Sequence, residues 1–267
     1  MEKNCNIDEL LDFLLQFATV QMGVGVQTSR IIRNTARIAE TYGYRLSLMM
    51  SQKTIGITLV EKDHPNVSET KQSSSSVTSI MKHKTLPLNF YMNSELSALS
   101  WYVYDNKPVL KLVKDDFKSI ISYPKMSHYM MLLLISIANA CFCRIFGGDA
   151  MSMLIVFVAT AAGFYIRQQL TKRNFNHMFI FVISAFIASL IAGLCVKYGG
   201  WTETPEIALS SCVLYLIPGV HLINSVIDLL DGYVLNGVSR FINAVMLLIS
   251  MTVGLSCSLI ILNLSFI

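Results

Sequence analysis

Charged residues are scarce in this sequence. They make up 14% of its 267 residues, against about a quarter in an average soluble domain, and 53% of the residues are hydrophobic. The scarcity is uneven, since residues 129–267 hold only 6 of the 21 Lys and Arg and 5 of the 17 Asp and Glu. The sequence therefore predicts a water-facing first part and a membrane-embedded second part. The net charge of +4 is too small and too dispersed to indicate nucleic-acid binding.

Motifs of enzymes and metal sites are also missing. The sequence has no Gly-rich phosphate loop, no dinucleotide-binding fingerprint and no HExxH motif, which argues against an ATP-driven pump. Its six cysteines lack the CxxC or Cys/His spacing of a zinc site and lie mostly in apolar runs, so a redox role is the weaker alternative. No nucleophile can be paired with a base. We therefore expect neither enzyme activity nor a metal or cofactor.

Residues 1–128 combine helical and strand patterns. Apolar residues recur at helical spacing in residues 7–21 and 28–42, and Gly43 is suited to end the second helix. Alternating apolar and polar residues in residues 44–60 predict a β-hairpin. The remaining predicted elements are a polar loop (63–79), a strand (86–92), a helix that Asn93 caps and that ends at Tyr104, and a helix over 109–123. Together they predict a small α+β domain.

Residues 129–267 contain five apolar segments. Each approaches the roughly 20 residues that a helix needs to cross the hydrocarbon core of a bilayer. They cover residues 129–146, 151–170, 178–196, 207–227 and 240–264. The polar N-terminus carries no recognisable signal peptide, so we expect insertion to depend on these segments, with membrane lipid around them. Five spans with little charge are few for forming a transport pathway alone, which favours a second membrane protein or a higher oligomer as partner.

The charges between the segments predict their orientation. Basic residues, Arg167 among them, lie at the loop between the second and third segments, whereas the next loop carries one lysine against two glutamates. By the positive-inside rule, the first of these loops is cytoplasmic. The predicted fold is therefore an α-helical protein of the inner membrane. It has a cytoplasmic N-terminal α+β domain (1–128) followed by five transmembrane helices (129–267), the fourth broken at Pro218.

The fourth apolar segment is interrupted by polar and helix-breaking residues. Pro218 removes a backbone donor and Gly219 adds conformational freedom, so the helix is expected to break here. Past the break, His221, Asn224 and Asp228 follow at spacings of three and four, which places them on one helical face. Ionisable groups within a span are costly unless they face protein or water. This polar face therefore indicates a transport site.

Each candidate side chain also has a simpler explanation. Asp228 can bind a proton or a substrate amine, since burial disfavours its charged form. Alternatively, it can form a structural ion pair with Arg240, or it can be an interfacial aspartate past the end of the fourth span. Arg240 can hold a substrate carboxylate or anchor the start of the fifth span. For Arg167 the anchoring role is the stronger alternative. Asn224 can contact substrate or cap the broken helix, and His221 can titrate near neutral pH or be a satisfied histidine.

Four stretches of the sequence carry a family resemblance. They are CFCRIFGGD (141–149), YIRQQL (165–170), TPEIA (204–208) and LIPGVHLINSVIDLLDGYVLNGVSR (216–240). In these stretches the chain resembles the threonine/serine exporter family, specifically its short split-chain branch, whose members resemble the N-terminal half of the fused exporters. The family's Pro-Gly, Leu-Ile-Asn, Asp, Gly and Gly-x-x-Arg elements match Pro218 and Gly219, Leu222 to Asn224, Asp228, Gly232, and Gly237 with Arg240. His221 stands where the branch commonly has Pro.

The resemblance implies a cytoplasmic N-terminal domain, five spans and a separate small membrane subunit as partner. Fused members are associated with export of threonine and serine, and the split branch with export of succinate. Both are thought to use an ion gradient rather than ATP. The matching residues, Gly232 and Gly237 included, are then candidates for the substrate or ion site.

Two classes of function follow from these observations. The favoured one is a subunit of a secondary exporter of small carboxylate metabolites, either succinate-type dicarboxylates or threonine and serine. The alternative is a membrane-anchored sensor or scaffold, in which the N-terminal domain binds a ligand and the spans only tether it. A mere tether does not require a broken helix with a polar face, which favours the exporter.

Overall fold

The computed structural model describes residues 6–51, 54–61, 76–82, 86–124 and 126–264. The chain forms two compact units. Unit 1 consists of Met1–Pro124 together with Val220–Phe241, and unit 2 consists of Lys125–Gly219 together with Ile242–Ile267. The polar segment that follows the predicted helix break thus packs with the N-terminal residues. A domain boundary at residue 128 stays a prediction.

Unit 1 is an α+β structure built around a three-stranded antiparallel sheet of order β1-β2-β3. Its N-terminal part comprises helices α1 (Ile7–Gly23) and α2 (Thr28–Thr41), strands β1 (Tyr44–Met50), β2 (Thr54–Glu61) and β3 (Ser76–Lys82), and helices α3 (Phe90–Asn106) and α4 (Leu110–Ser122). The predicted β-hairpin is confirmed, with Met50 opposite Ile55 next to the turn. The two predicted N-terminal helices are confirmed to within two residues at their ends.

The core of unit 1 forms where α1 covers one face of the sheet. Leu10, Leu14 and Phe17 of α1 are fully buried. Ile55, Ile57 and Leu59, every second residue of β2, are fully buried in the same cluster. Burying a side chain of this size contributes about 1.5–3 kcal/mol. The apolar periodicities of the two elements therefore account for their packing.

The third strand lies where the sequence predicted a loop. Strand β3 pairs with β2 and places Thr78 opposite Thr58, with their hydroxyl oxygens 2.9 Å apart. Cross-strand threonine pairs stabilise sheets, and β-branched residues fit the pleated surface. Residues 76–79 of the predicted polar loop are thus a strand. Residues 63–75 of that loop lie outside the described residues.

The predicted strand over residues 86–92 is wrong. Residues 86–89 have no regular structure, and α3 begins at Phe90. The side chain of Asn89 accepts a hydrogen bond from the Met92 backbone N–H at 3.0 Å, which satisfies one of the free donors at the helix start. Asn89 therefore caps this helix, and Asn93, the predicted cap, lies within its first turn.

Unit 2 is helical. It contains α5 (His128–Ile145), α6 (Ala150–Lys172), α7 (His177–Leu194), which continues as a π-helical turn to Gly199, and the short helix α8 (Pro205–Ser211). Two further helices, α9 (Gly219–Leu230) and α10 (Val234–Leu262), follow the break. In the described part of the chain, four helices are long and apolar enough to cross a membrane, namely α5, α6, His177–Gly199 and α10. The broken pair Pro205–Leu216 and Gly219–Leu230 adds a fifth if it forms one span.

The helix break at Pro218 is present and begins earlier than expected. Helix α8 ends at Ser211, one 3-10 turn covers Leu214–Leu216, and α9 starts at Gly219. Ile217 has φ −57° and ψ 124°, the extended conformation that a following proline imposes. Proline thus separates two helical pieces of the fourth apolar segment.

Helices α6 and α7 pack through small residues. A Cβ on Gly163 of α6 would lie 2.9 Å from both the Ala188 Cβ and the Ser184 carbonyl oxygen of α7. On α10, a Cβ on Gly254 would lie 2.9 Å from the Ala185 Cβ. Small residues that let backbones approach closely are typical of helix contacts in membranes.

Candidate functional site

Helix α9 is closed by a glycine turn that reverses the chain. Gly232 has φ +84°, the Tyr233 N–H donates to the Asp228 carbonyl at 2.8 Å, and the Gly232 N–H donates to the Leu229 carbonyl at 3.1 Å. These two bonds form a Schellman motif, whose left-handed residue is best supplied by glycine. The chain therefore turns back immediately into α10.

The start of α10 lies against α9 because Gly237 has no side chain. A Cβ at this position would lie 2.7 Å from the Leu229 Cγ and 2.9 Å from the Ser225 carbonyl oxygen, which is too close for real atoms. The two glycines shape the hairpin that brings Arg240 back to Asp228, whose carboxylate Oδ2 lies 3.4 Å from the Arg240 Nε.

The Asp228 carboxylate is fully buried and bound at the start of α2. Its Oδ1 accepts the Thr28 backbone N–H at 3.0 Å, and its Oδ2 accepts the Thr28 hydroxyl at 2.9 Å. Gln27, the N-cap residue of α2, makes no side-chain capping bond, so Asp228 supplies the acceptor that a local cap would provide. A negative charge at a helix N-terminus also interacts favourably with the helix dipole.

Asn224 and Arg240 bind the loop that precedes α2. The Asn224 Nδ2 donates to the Gly25 carbonyl at 2.8 Å, and the Arg240 Nη2 donates to the Val26 carbonyl at 3.0 Å. Gly25 has φ +87°, a conformation that favours glycine. We call the set formed by Asn224, Asp228, Arg240 and residues 25–28 the clamp. It joins parts of unit 1 that are about 200 residues apart in sequence.

The buried Asp228 carboxylate of the clamp is paired with three groups, the Thr28 N–H, the Thr28 hydroxyl and the Arg240 guanidinium. The side chain of Asp228 is 0% exposed and that of Arg240 is 17% exposed. Removing one partner of a buried ion pair costs about 3–5 kcal/mol, because the remaining charge is left without compensation. The ion pair with Arg240, one of the structural explanations for Asp228, is present. A transport role for Asp228 stays a prediction.

The other predicted site residues occupy three different settings. His221 is on α9 and partly exposed. Pro218 is buried at the break, and a Cβ on Gly219 would meet no atom within 4 Å, so Gly219 is not required by close packing. Arg167 belongs to unit 2, where its guanidinium lies 4.9 Å from the Phe181 ring centroid. Their roles in binding stay predictions.

Thr28 is the clamp residue that sequence reasoning missed. The pattern placed it at the start of α2, and the structure confirms that position, but a single threonine at a helix start gives no sign of a distant carboxylate partner. The partner of a helix terminus is set by tertiary packing, which local periodicity does not encode.

A small cavity borders the clamp within unit 1. It has a volume of about 280 Å³ and is lined by Thr28, Ile32, Leu48, Met50 and the residues of the α9–α10 turn from Gly232 to Asn236. The lining is mostly apolar, with Thr28 and Asn236 as polar members. The depression is open to the surface, and the Thr28 side chain at its edge is almost fully buried.

Two of the motif stretches meet at Asp149 in unit 2, where the Asp149 backbone N–H donates to the Thr204 hydroxyl oxygen at 3.0 Å. Asp149 precedes α6, and its Oδ1 accepts the Ser152 backbone N–H at 2.6 Å and the Thr202 hydroxyl at 2.8 Å, while its Oδ2 accepts the Glu203 N–H at 3.0 Å. The N–H groups of Ser152 and Glu203 hold the pKa of Asp149 well below its ordinary value. Asp149 thus fixes the loop before α8 to the start of α6.

Comparison with known proteins agrees with the motifs. The family model described as "Putative threonine/serine exporter" matches residues 12–262. A Klebsiella aerogenes protein named "Probable succinate transporter subunit YjjP" is 31% identical over 180 residues, which cover 67% of this chain and 69% of that protein. The Escherichia coli K12 protein of the same name is 30% identical over 185 residues, covering 68% and 71%. No solved structure matches the chain. The chain belongs to the threonine/serine exporter family, and this membership supports a role in transport.

Proposed function

We propose that the chain is one subunit of a secondary exporter of small carboxylate metabolites, driven by an ion gradient rather than by ATP. The observation that carries this proposal is the clamp, in which a fully buried Asp228 interrupts an apolar segment. An ionisable group in an apolar segment of a membrane protein is costly unless it meets protein or water, and such groups often mark ion and substrate pathways. Asp228 meets protein, because it is buried against the start of α2 in unit 1. The family and the names of the two relatives support the same role, which is a transport role rather than an enzymatic one.

The clamp has the properties of an ion-coupled switch. With Asp228 ionised, its carboxylate attracts Arg240 and accepts both Thr28 donors. A proton or a metal cation taken up by the carboxylate removes that attraction and weakens the bond to the α2 N-terminus. The clamp then loosens, and the α9–α10 turn is free to change position. In this scheme Arg240 serves first as the counter-ion of Asp228, and Asn224 holds the loop in place.

We further propose succinate-type dicarboxylates as the first substrate class, with threonine and serine as the second. The two relatives are named for succinate transport, and the family description names threonine and serine. Because both relatives are named as subunits, we propose a second small membrane subunit of the same family as partner. A higher oligomer of the two is compatible with this arrangement.

The proposed topology places the N-terminal domain in the cytoplasm of a bacterial cell and five spans in its inner membrane. Four long helices supply four of the spans, and the fifth requires that the broken pair crosses the membrane as one span. The basic residues at the end of α6, Arg167, Lys172 and Arg173, are on the cytoplasmic side in this topology, as the positive-inside rule requires.

Counterflow in membrane vesicles tests the proposal. Labelled succinate, and separately labelled threonine, is offered to vesicles that contain this chain alone, then this chain with its candidate partner. We expect exchange of one of these substrates only when both proteins are present, and its loss when the ion gradient is collapsed in an efflux assay. If neither substrate is exchanged although both proteins are inserted, the proposed function is wrong.

A further inference from the structure

Arg167 is a cation without a counter-ion in the part of the chain that the structure describes. It lies on α6, and no described acceptor comes within hydrogen-bonding or ion-pairing distance of its guanidinium. Its contacts are aromatic, with the Phe181 centroid at 4.9 Å and the Phe164 centroid at 5.9 Å. Aromatic rings stabilise a guanidinium through its face and leave the N–H donors at its edge unused.

Other polar groups follow the same face of α6. Thr160, Gly163 and Arg167 are separated by three and four residues, so they share one side of the helix. The Thr160 hydroxyl accepts the Asn139 Nδ2 at 2.6 Å, and this amide also donates to the Ser211 carbonyl at 3.1 Å. Asn139 and Thr160 are buried inside unit 2, where apolar side chains would pack at lower cost.

Gly163 lets two more polar groups approach this face. A Cβ there would lie 2.9 Å from the Ser184 carbonyl oxygen and would overlap the Tyr215 hydroxyl. The Tyr215 hydroxyl donates to the Ser184 carbonyl at 3.3 Å, and the Tyr215 ring packs edge-on against Phe164 at 6.2 Å. Tyr215 therefore belongs to the same neighbourhood as the aromatic contacts of Arg167.

Ser184 adds a second unmatched polar group. Its side chain is 0% exposed, and its hydroxyl oxygen has no hydrogen-bond partner among the described residues. A buried polar atom without a partner costs about 1–3 kcal/mol. Ser184 is one turn from Phe181 on α7, the helix that packs against α6. We call the set of Asn139, Thr160, Arg167, Ser184 and Tyr215 the α6 seam.

We propose that the α6 seam binds a carboxylate of the transported substrate, with Arg167 supplying the charge. This inference rests on the proposed function and names the residue that recognises the substrate class. Arg240 is a weaker candidate because its charge is already matched by Asp228 at 3.4 Å. Arg167 has both its charge and its fork of donors free for a bidentate carboxylate contact. Ser184 supplies a hydroxyl donor to the same ligand.

A lipid phosphate is an anion like the substrate carboxylate, so the control must distinguish binding of a lipid headgroup from binding of substrate. Arg173 is the matched residue, because it is an arginine at the end of the same helix and is exposed. A headgroup anchor requires basic residues at the membrane surface, so Arg173 would contribute to it as well as Arg167, whereas the proposed substrate site includes Arg167 but not Arg173.

The test uses the exporter purified with its partner and reconstituted in vesicles that exchange labelled succinate. Arg167→Gln is expected to raise KM for succinate about 10- to 100-fold, since a charge-assisted bidentate contact is lost. The KM of Arg167→Lys should lie between those of the unaltered protein and Arg167→Gln, because a lysine keeps the charge attraction but lacks the two parallel donors of the guanidinium. Arg173→Gln should keep the KM of the unaltered protein.

A second variant guards against misfolding. Ser184→Ala removes a hydroxyl that has no partner, so the protein should fold at least as well while its KM for succinate rises severalfold. Protection of the purified protein by succinate against thermal unfolding is measured in parallel, and Arg167→Gln should abolish it. If Arg167→Gln and Ser184→Ala retain the unaltered KM and the protection, the inference is wrong while the exporter function stands. If the unaltered protein exchanges neither succinate nor threonine and gains no protection from either, the proposed function fails instead.

Discussion

Replacing Thr28 by valine tests whether the clamp holds the buried Asp228 carboxylate. Valine keeps the branched shape of threonine but removes the hydroxyl that donates to the Asp228 Oδ2 at 2.9 Å, leaving the backbone N–H bond intact. A hydrogen bond to a charged group contributes about 1.5–3 kcal/mol. Since Asp228 is fully buried, water cannot replace the lost donor. We expect the free energy of unfolding to fall by about this amount.

Thr28→Ser is the matched control. Serine keeps the hydroxyl and loses one buried methyl group, which costs about 0.8 kcal/mol. Unfolding of both variants is measured by denaturant titration in detergent micelles. The fall in unfolding free energy caused by Thr28→Val should be smaller in an Asp228→Asn background, because the carboxylate charge to which the hydroxyl donates is then absent. The reasoning is refuted if Thr28→Val costs no more than Thr28→Ser, or if the two changes are additive.

Three further predictions follow from other contacts. Arg240→Lys should slow export and weaken the clamp, because one ammonium cannot reproduce contacts with both the Asp228 carboxylate and the Val26 carbonyl. The efflux rate and the free energy of unfolding measure the two effects, and unchanged values would contradict the prediction. Gly237→Ala should destabilise unit 1 by about 1–3 kcal/mol through overlap with α9, whereas Gly219→Ala, which meets no atom, should show no such overlap cost in the same unfolding assay. Asp149 should contribute stability that is complete above its ordinary pKa of about 3.9 and is lost as the pH falls through its lower folded-state pKa. The thermal unfolding of Asp149→Asn, measured from pH 7 to pH 3, should therefore depend less on pH than that of the unaltered chain. Equal pH dependence of the two proteins would count against this role.

The elements that were predicted correctly are those whose pattern is local. The α1 and α2 helices and the β1–β2 hairpin follow from apolar periodicity and from the residues that end them. The helix break follows from the backbone chemistry of Pro218. Helical spacing predicts that Asn224 and Asp228 share one face of α9, and in the structure both residues are buried.

The errors arise where two local signals compete. Asn89 and Asn93 are both able to cap a helix, and the spacing of apolar residues between them did not decide which one does. The serine- and threonine-rich chain before residue 80 is typical of a loop, yet its β-branched residues pair with β2 once that strand is in place.

The clamp was beyond prediction for a different reason. Helical spacing shows that Asp228 shares a face with Asn224, but it does not say what that face meets. The partner, Thr28, is 200 residues away in sequence, and one of its two hydrogen bonds to Asp228 comes from its backbone N–H. Backbone donors at a helix start exist in every helix, so the sequence gives no particular reason to choose this one.

The central claim is that the charge of Asp228 takes part in transport and does not only hold unit 1 together. The most direct test is efflux of succinate from cells that carry both subunits, with Asp228→Asn compared with the unaltered chain. We expect Asp228→Asn to abolish efflux although the variant still inserts into the membrane and still binds its partner. Normal efflux by Asp228→Asn would contradict the account.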